Sequence, residues 1–214
     1  MGKRKLLLTV CAICLVVLAL SLSFYFLQRP SKLPSWPAIG DYMTYAQNYS
    51  WNGGNATQYM TWNVTGLNGD LASVHLISHG VAVSSDGEVT FPESEVEVAI
   101  NTTDRTVLSL SDQSNSGEMP VGSKWNFWIP TSTKLGDAIE TAYGTSSVSP
   151  AQTINVMGKN ESCWVVSYVY SSGNDMTRLY DIAIGICLQI QTHLVRGNVT
   201  LSIVETAVQT NAPV

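Results

Sequence analysis

Charge is scarce in this sequence. Only 13% of its 214 residues are Asp, Glu, Lys or Arg, about half the ~25% of ordinary soluble domains. All 16 acidic residues lie at or beyond Asp41, whereas five of the 11 Lys and Arg precede Gly40. Residues 40–214 therefore carry six cations against 16 acids, a balance of −10, with no basic stripe. Nucleic-acid binding, which depends on neutralising phosphates, is excluded. Histidine is equally sparse, with His75, His79 and His193 the only three. His75 and His79 share one side of a strand but lie about 13 Å apart, too far to hold one metal. There is no HExxH and no G-x-S-x-G, the spacings that put zinc ligands on one helix face or a serine on a strained nucleophile turn. Neither a catalytic constellation, a metal site nor a cofactor is expected, and the protein reads as non-enzymatic.

One long apolar run is present. Leu6–Leu27 spans 22 residues behind Lys3, Arg4 and Lys5, and as a helix it would cover about 33 Å, enough for one bilayer crossing. Ala19-Leu20-Ser21 offers a signal-cleavage site, but apolar character continues through Phe24-Tyr25-Phe26, where an interfacial aromatic belt belongs. The expectation is an uncleaved single-pass anchor over residues 1–28, N-terminus inside the cell membrane. A stiff linker with Pro30, Pro34 and Pro37 follows over 29–39, then an extracytoplasmic domain over 40–214. Cys11 and Cys14 read as membrane-buried thiols, and Leu6 stands where a myristoylation signal needs Ser or Thr.

Beyond Gly40 no stretch has a convincing helical period, but several alternate with a period of two. Met60, Trp62 and Val64 interleave with Thr61 and Asn63, and Val96, Val98 and Ile100 with Glu97 and Ala99. Asn52-Gly53-Gly54, Asn68-Gly69-Asp70, Asp86-Gly87, Gly158-Lys159-Asn160 and Ser172-Gly173-Asn174 separate the runs with turn chemistry. Strands are predicted near 42–50, 57–65, 71–83, 88–101, 105–110, 124–129, 137–142, 152–157, 162–170, 176–183, 186–195 and 198–208. Some nine or ten should survive merging. The fold class is all-β, a curled antiparallel meander forming a half-barrel or open barrel, preceded by the transmembrane helix. No internal repeat is evident, and Ser111–Gly122 reads as a long surface loop.

Six Asn-x-Ser/Thr sequons, at Asn48, Asn55, Asn63, Asn101, Asn160 and Asn198, predict an N-glycosylated surface protein. Cys163 and Cys187 form a candidate disulfide, opposed by strand geometry: in a simple meander a middle strand separates them. Glu93, Glu95 and Glu97 make an acidic row that suits a solvated face better than a Ca²⁺ site, and Asp112–Gly117 is a weak match to a Ca²⁺ loop. All six tryptophans lie outside the apolar run. A sheet lined by Trp62, Trp128, Trp164, Tyr168 and Tyr180 is either a core of large rings or a concave surface for an apolar, lipid or sugar ligand. Residues 162–170 are apolar on both phases, so their second face needs a cover.

Several phrases recur in order: Gly40-Asp41-Tyr42 with Tyr45, Phe127-Trp128-Ile129-Pro130 with Gly136-Asp137, Val156-Met157-Gly158 with Cys163-Trp164-Val165-Val166, and Tyr180-Asp181 with Gly185-Ile186. Together they resemble a group of uncharacterised archaeal membrane-anchored surface proteins, whose exported domains are similar to the LolA/LolB-like half-barrel carriers. The resemblance implies a curved sheet and an exported, ligand-binding role, and it carries over no catalytic residue. The helices that close the open face of those carriers have no counterpart of adequate length here. The functional expectation is a membrane-anchored β domain that binds an apolar or sugar ligand or a surface-protein partner. The alternative is a structural or adhesive envelope glycoprotein with a filled core.

Overall fold

The structure is a computed structural model that describes residues 37–84, 87–112, 119–171, 173–197, 199–212 and 214. The Leu6–Leu27 run, its basic flank, Trp36, Asn198 and residues 113–118 lie outside the described residues, so the expectations of a membrane anchor and of a loop at 113–118 fall there too. Among the described residues no helix is long and apolar enough to cross a membrane.

Residues 37–214 form β1 (Tyr42–Trp51), β2 (Gly54–Asn68), β3 (Leu71–Ser84), β4 (Gly87–Asn101), β5 (Val107–Leu110), β6 (Ala138–Thr141), β7 (Gly144–Val156), β8 (Lys159–Ser171), β9 (Asn174–Asp181), β10 (Cys187–Arg196) and β11 (Val199–Thr210). All pair antiparallel in one curled sheet, ordered β5-β4-β3-β2-β1-β11-β10-β9-β8-β7-β6. Two meanders, β1 to β5 and β6 to β11, thus meet where β1 pairs β11. Tight turns carrying Gly53, Gly69, Gly158 and Gly173, all at positive φ, connect neighbours, because an L-residue pays a steric penalty there that glycine avoids. Among the described residues eleven strands stand where nine or ten were expected to survive. The two outer edges, β5 and β6, are four residues each, short enough to offer little template for unwanted pairing.

The expected strand at 124–129 does not form. That segment, alternating Trp125, Phe127 and Ile129 like a strand, runs as a crossover between β5 and β6 and packs into the sheet's concave face. Trp125, Phe127, Trp128 and Ile129 are all buried. It acts as a plug in that face. Phe127 lies 5.4 Å from Tyr45 of β1, and Trp128 meets Trp62 of β2 edge-on at 5.9 Å, the tilted geometry that aromatic quadrupoles favour. Tryptophan burial is worth several kcal/mol per ring at roughly 25 cal/mol per Å², so the plug supplies the core that one curved sheet cannot provide alone.

Its docking reveals an internal repeat that the side chains conceal. At the β4–β5 turn, Asn101 Oδ1 accepts from the Thr103 and Asp104 amides, Arg105 adopts φ 63°, and the Trp125 amide donates to the Arg105 carbonyl. At the β9–β10 turn, Asp181 Oδ1 accepts from the Ala183 and Ile184 amides, Gly185 adopts φ 74°, and the Ile129 amide donates to the Gly185 carbonyl. Val107 and Cys187 then donate to the plug carbonyls of Ser123 and Phe127. The Gly-Asp pairs repeat as well: Gly40 donates to Val64 O and Asp41 O accepts from Val64, while Gly136 donates to Val148 O and Asp137 O accepts from Val148. Asp41 and Asp137 each accept a further amide through Oδ2, from Ala38 and Lys134. The two halves are therefore built on one backbone plan.

Candidate functional site

The plug fills only one end of the concave face. At that end the inward residues are large: Met43, Tyr45, Trp62, Val64, Val98 and Ile100 are all buried. Toward the Asn52-Gly53 turn the inward residues of β2 and β3 include Ala56, Gly80 and Ala82; Ala56 pairs with Ala82 in register, and Gly80 pairs with Gln58. Small side chains and a plug that stops short leave a hollow there. Gly80 is obligatory, since a Cβ on it would come 2.7 Å from the Thr57 carbonyl oxygen across the strand pair.

Neighbouring openings lie here among the described residues. The inner one, about 280 Å³, lies between the plug's Phe127 and Asn126 and the sheet residues Met60, Leu76, Val96, Ile190 and Ile203. The outer one, about 420 Å³, is bounded by Trp51, Ala56, Ala82, Phe91, Val199 and Leu201. Tyr49 and Gln58 line both. Their sizes reach the lower range of small-molecule pockets.

A polar band crosses this trough. Gln47 Nε2 donates to Glu205 Oε2 at 2.8 Å, and the Tyr49 hydroxyl lies 3.3 Å from Gln47 Oε1 and 3.2 Å from Gln58 Oε1. Arg178, 2% exposed, lines the same cleft, its guanidinium 5.5 Å from the Tyr143 ring and 5.9 Å from the Tyr168 ring. Asn126, 3% exposed, lines it from the plug side, and its Oδ1 has no hydrogen-bond partner among the described residues. Sequence reasoning missed all of these. A signal was nevertheless present: Gln47, Gln58, Arg178 and Glu205 each stand on the apolar phase of their strands, in step with Tyr45, Met60, Met176 and Ala207.

The residues expected to bind ligand sit elsewhere. Trp62, Trp128 and Tyr180 are buried beneath or within the plug, and the Tyr180 hydroxyl donates to the Asn126 carbonyl at 3.0 Å. Tyr168 is buried beside Arg178, and Trp164 is half-buried opposite Tyr180. None of the five lines either opening. The ring-rich surface is covered because the plug occupies it. The second face of β8 is covered at Cys163 but bare at Val169, which is 78% exposed.

The candidate disulfide is corrected: Cys163 and Cys187 are free, buried thiols. They flank β9, opposite its successive residues Asp181 and Tyr180. Two strand spacings, about 9.5 Å, lie between them, and neighbouring strand residues face opposite sides of the sheet. Burial pushes each thiol up to about 12, so the reactive thiolate is absent at neutral pH. Neither thiol should react with iodoacetamide at pH 8 in the folded protein, and both should react in denaturant. Native-state labelling of either by peptide mass spectrometry would overturn their assigned burial.

Among the sequons, Asn48, Asn55 and Asn160 are exposed and Asn63 and Asn101 half-buried. His75 Nε2 lies 3.3 Å from Glu95 on the outer face, where Glu93, Glu95 and Glu97 are solvated, and His79 stacks on Tyr59. No group of three His, Cys, Asp or Glu side chains among the described residues is placed to hold a metal ion.

No family model and no curated protein matches the chain. Solved structures that are similar at low identity include the following three. A Bacteroides fragilis protein described as exported, with a YmcC-like fold, is 9% identical with a TM-score of 0.42, covering 81% of this chain and 96% of that one. A protein described as a lipoprotein from Parabacteroides distasonis is 10% identical, TM-score 0.35, over 81% and 96% of the two chains. The hypothetical lipoprotein YmcC of Escherichia coli is 13% identical, TM-score 0.30, over 77% and 87%. The fold assignment rests on the chain's own strand pairing rather than on these likenesses.

Proposed function

We propose that residues 40–214 form an extracytoplasmic, non-enzymatic β domain, tethered by Leu6–Leu27, that binds an apolar ligand in the unfilled half of its concave face. The supporting observation is the hollow itself: the small residues Ala56 and Ala82, with Trp51, Phe91, Val199 and Leu201, line an apolar mouth of about 420 Å³. Apolar walls of this kind are stabilised by removal from water, at roughly 25 cal/mol per Å². An apolar chain would supply that cover.

The test is extraction of the full-length chain from an exporting host into amphipol, followed by native mass spectrometry and lipid extraction. A hydrophobic species at about one per chain is expected, and Ala82→Trp, which fills the mouth, should abolish it while leaving the melting transition in place. An empty wild-type domain that takes up no added lipid would refute ligand binding. It would leave the second reading, an envelope glycoprotein, which draws its support from the plug-filled aromatic core and the exposed sequons at Asn48, Asn55 and Asn160.

A further inference from the structure

The polar band raises a question that an apolar ligand alone does not answer. Four strands each break their inward apolar alternation at the same level of the trough, with Gln47, Gln58, Arg178 and Glu205. Burying polar groups is costly unless they are hydrogen-bonded. Gln47 and Glu205 meet that cost with each other. Asn126 does not: its carboxamide, almost fully buried and brought to the cleft by the plug, has an Oδ1 with no partner among the described residues. A band whose only task was to bridge strands would have no use for it.

The charges narrow the chemistry. Among the described residues the cleft is lined by one cation, Arg178, and one acid, Glu205, and its other polar lining is uncharged amide and hydroxyl. An anion meets Glu205 and a cation meets Arg178, each unfavourable in a partly desolvated site. A hydroxyl donates and accepts at once, matching amides on one side and a carboxylate or guanidinium on the other. The geometry points to a subsite for the uncharged, hydroxyl-bearing head of a single-chain amphiphile, with the head at Asn126, Arg178 and Gln58 and the chain along Trp51, Phe91 and Leu201. This rests on the apolar-ligand reading and adds the class of head.

The experiment uses the full chain in nanodiscs and three photoreactive decyl probes that carry a diazirine in the chain and differ only in the head: glucoside, carboxylate and trimethylammonium. Crosslinks are mapped by peptide mass spectrometry, with plain decyl glucoside as competitor. The glucoside should label the trough strands at a concentration at least tenfold lower than either ion. Asn126→Leu and Gln58→Leu should each remove that preference while labelling persists. Circular dichroism melts establish that the variants fold, and Gln58→Leu, outside the plug, serves if Asn126→Leu does not. Equal labelling by all three heads, or better labelling by carboxylate, overturns the head assignment and leaves the apolar site standing. Absence of trough labelling by any probe overturns both.

Discussion

Replacing Gly185 with alanine should lower stability by about 3 kcal/mol or more, and hence the melting temperature by roughly 6–12 °C for a domain of this size. Two costs combine. Gly185 sits at φ 74°, a region that costs an L-residue about 1–2 kcal/mol. Its Cβ would also overlap the carbonyl oxygen of Ile129, which is backbone and cannot swing aside. The plug must then retreat, with loss of the Ile129 to Gly185 hydrogen bond and the Trp128–Ile186 bridge. Hydrogen exchange separates local from global damage: the Trp125 and Ile129 amides should lose protection before those of β2 and β3. An alanine variant with wild-type melting and exchange would show that the plug does not depend on this contact.

Arg105→Met should be similarly damaging, by about 3–4 kcal/mol. The buried guanidinium donates through Nη1 to the carbonyls of Trp125 and Trp128, at 3.2 and 3.1 Å, and through Nη2 to that of Glu140 at 2.7 Å. Glu140 belongs to β6 and Arg105 precedes β5, so one side chain joins both free edges of the sheet to the plug. Methionine matches the length but leaves three inward carbonyls without this donor. Burial holds the Arg105 pKa below its usual value, yet a guanidinium keeps its proton throughout the accessible range, so the contribution should not vary from pH 5 to 9. Arg105→Lys should recover only part of it, because one ammonium lacks the planar fork that spans three carbonyls. Urea unfolding with an unchanged m-value would locate the loss in the native state, and a wild-type midpoint for Arg105→Met would refute the latch.

Period-two alternation and glycine turns are local properties, and they placed most strands correctly. The failure at 124–129 has a physical cause: residues 125–129 are buried on both phases, as a fully covered strand would be, and nothing local says that the segment is held by isolated bridges rather than a ladder. The repeat was hidden because it lives in backbone hydrogen bonds that dissimilar side chains support, Asn101 with Asp181 and Arg105 with Gly185. Of the two readings their pattern allows, Trp62, Trp128, Tyr168 and Tyr180 take the core of large rings, because the plug that helps bury them is not legible as a cover from its alternation alone. By contrast, the trough was partly legible. Gln47, Gln58, Arg178 and Glu205 interrupt apolar phases that were otherwise used to assign the strands.

The seam between β1 and β11 joins residues as far apart as Tyr42 and Thr210, 168 positions along the chain. Most other pairings are hairpins between successive strands, which close early and cheaply. The finished sheet has β1 near its centre, but until β11 has been synthesised β1 is an edge, with half its backbone donors and acceptors open. Folding is thus gated by β11, the strand that closes the seam. A chain without β11 would not be a slightly smaller domain but two meanders no longer joined in one sheet, with β1 and β10 left as raw edges.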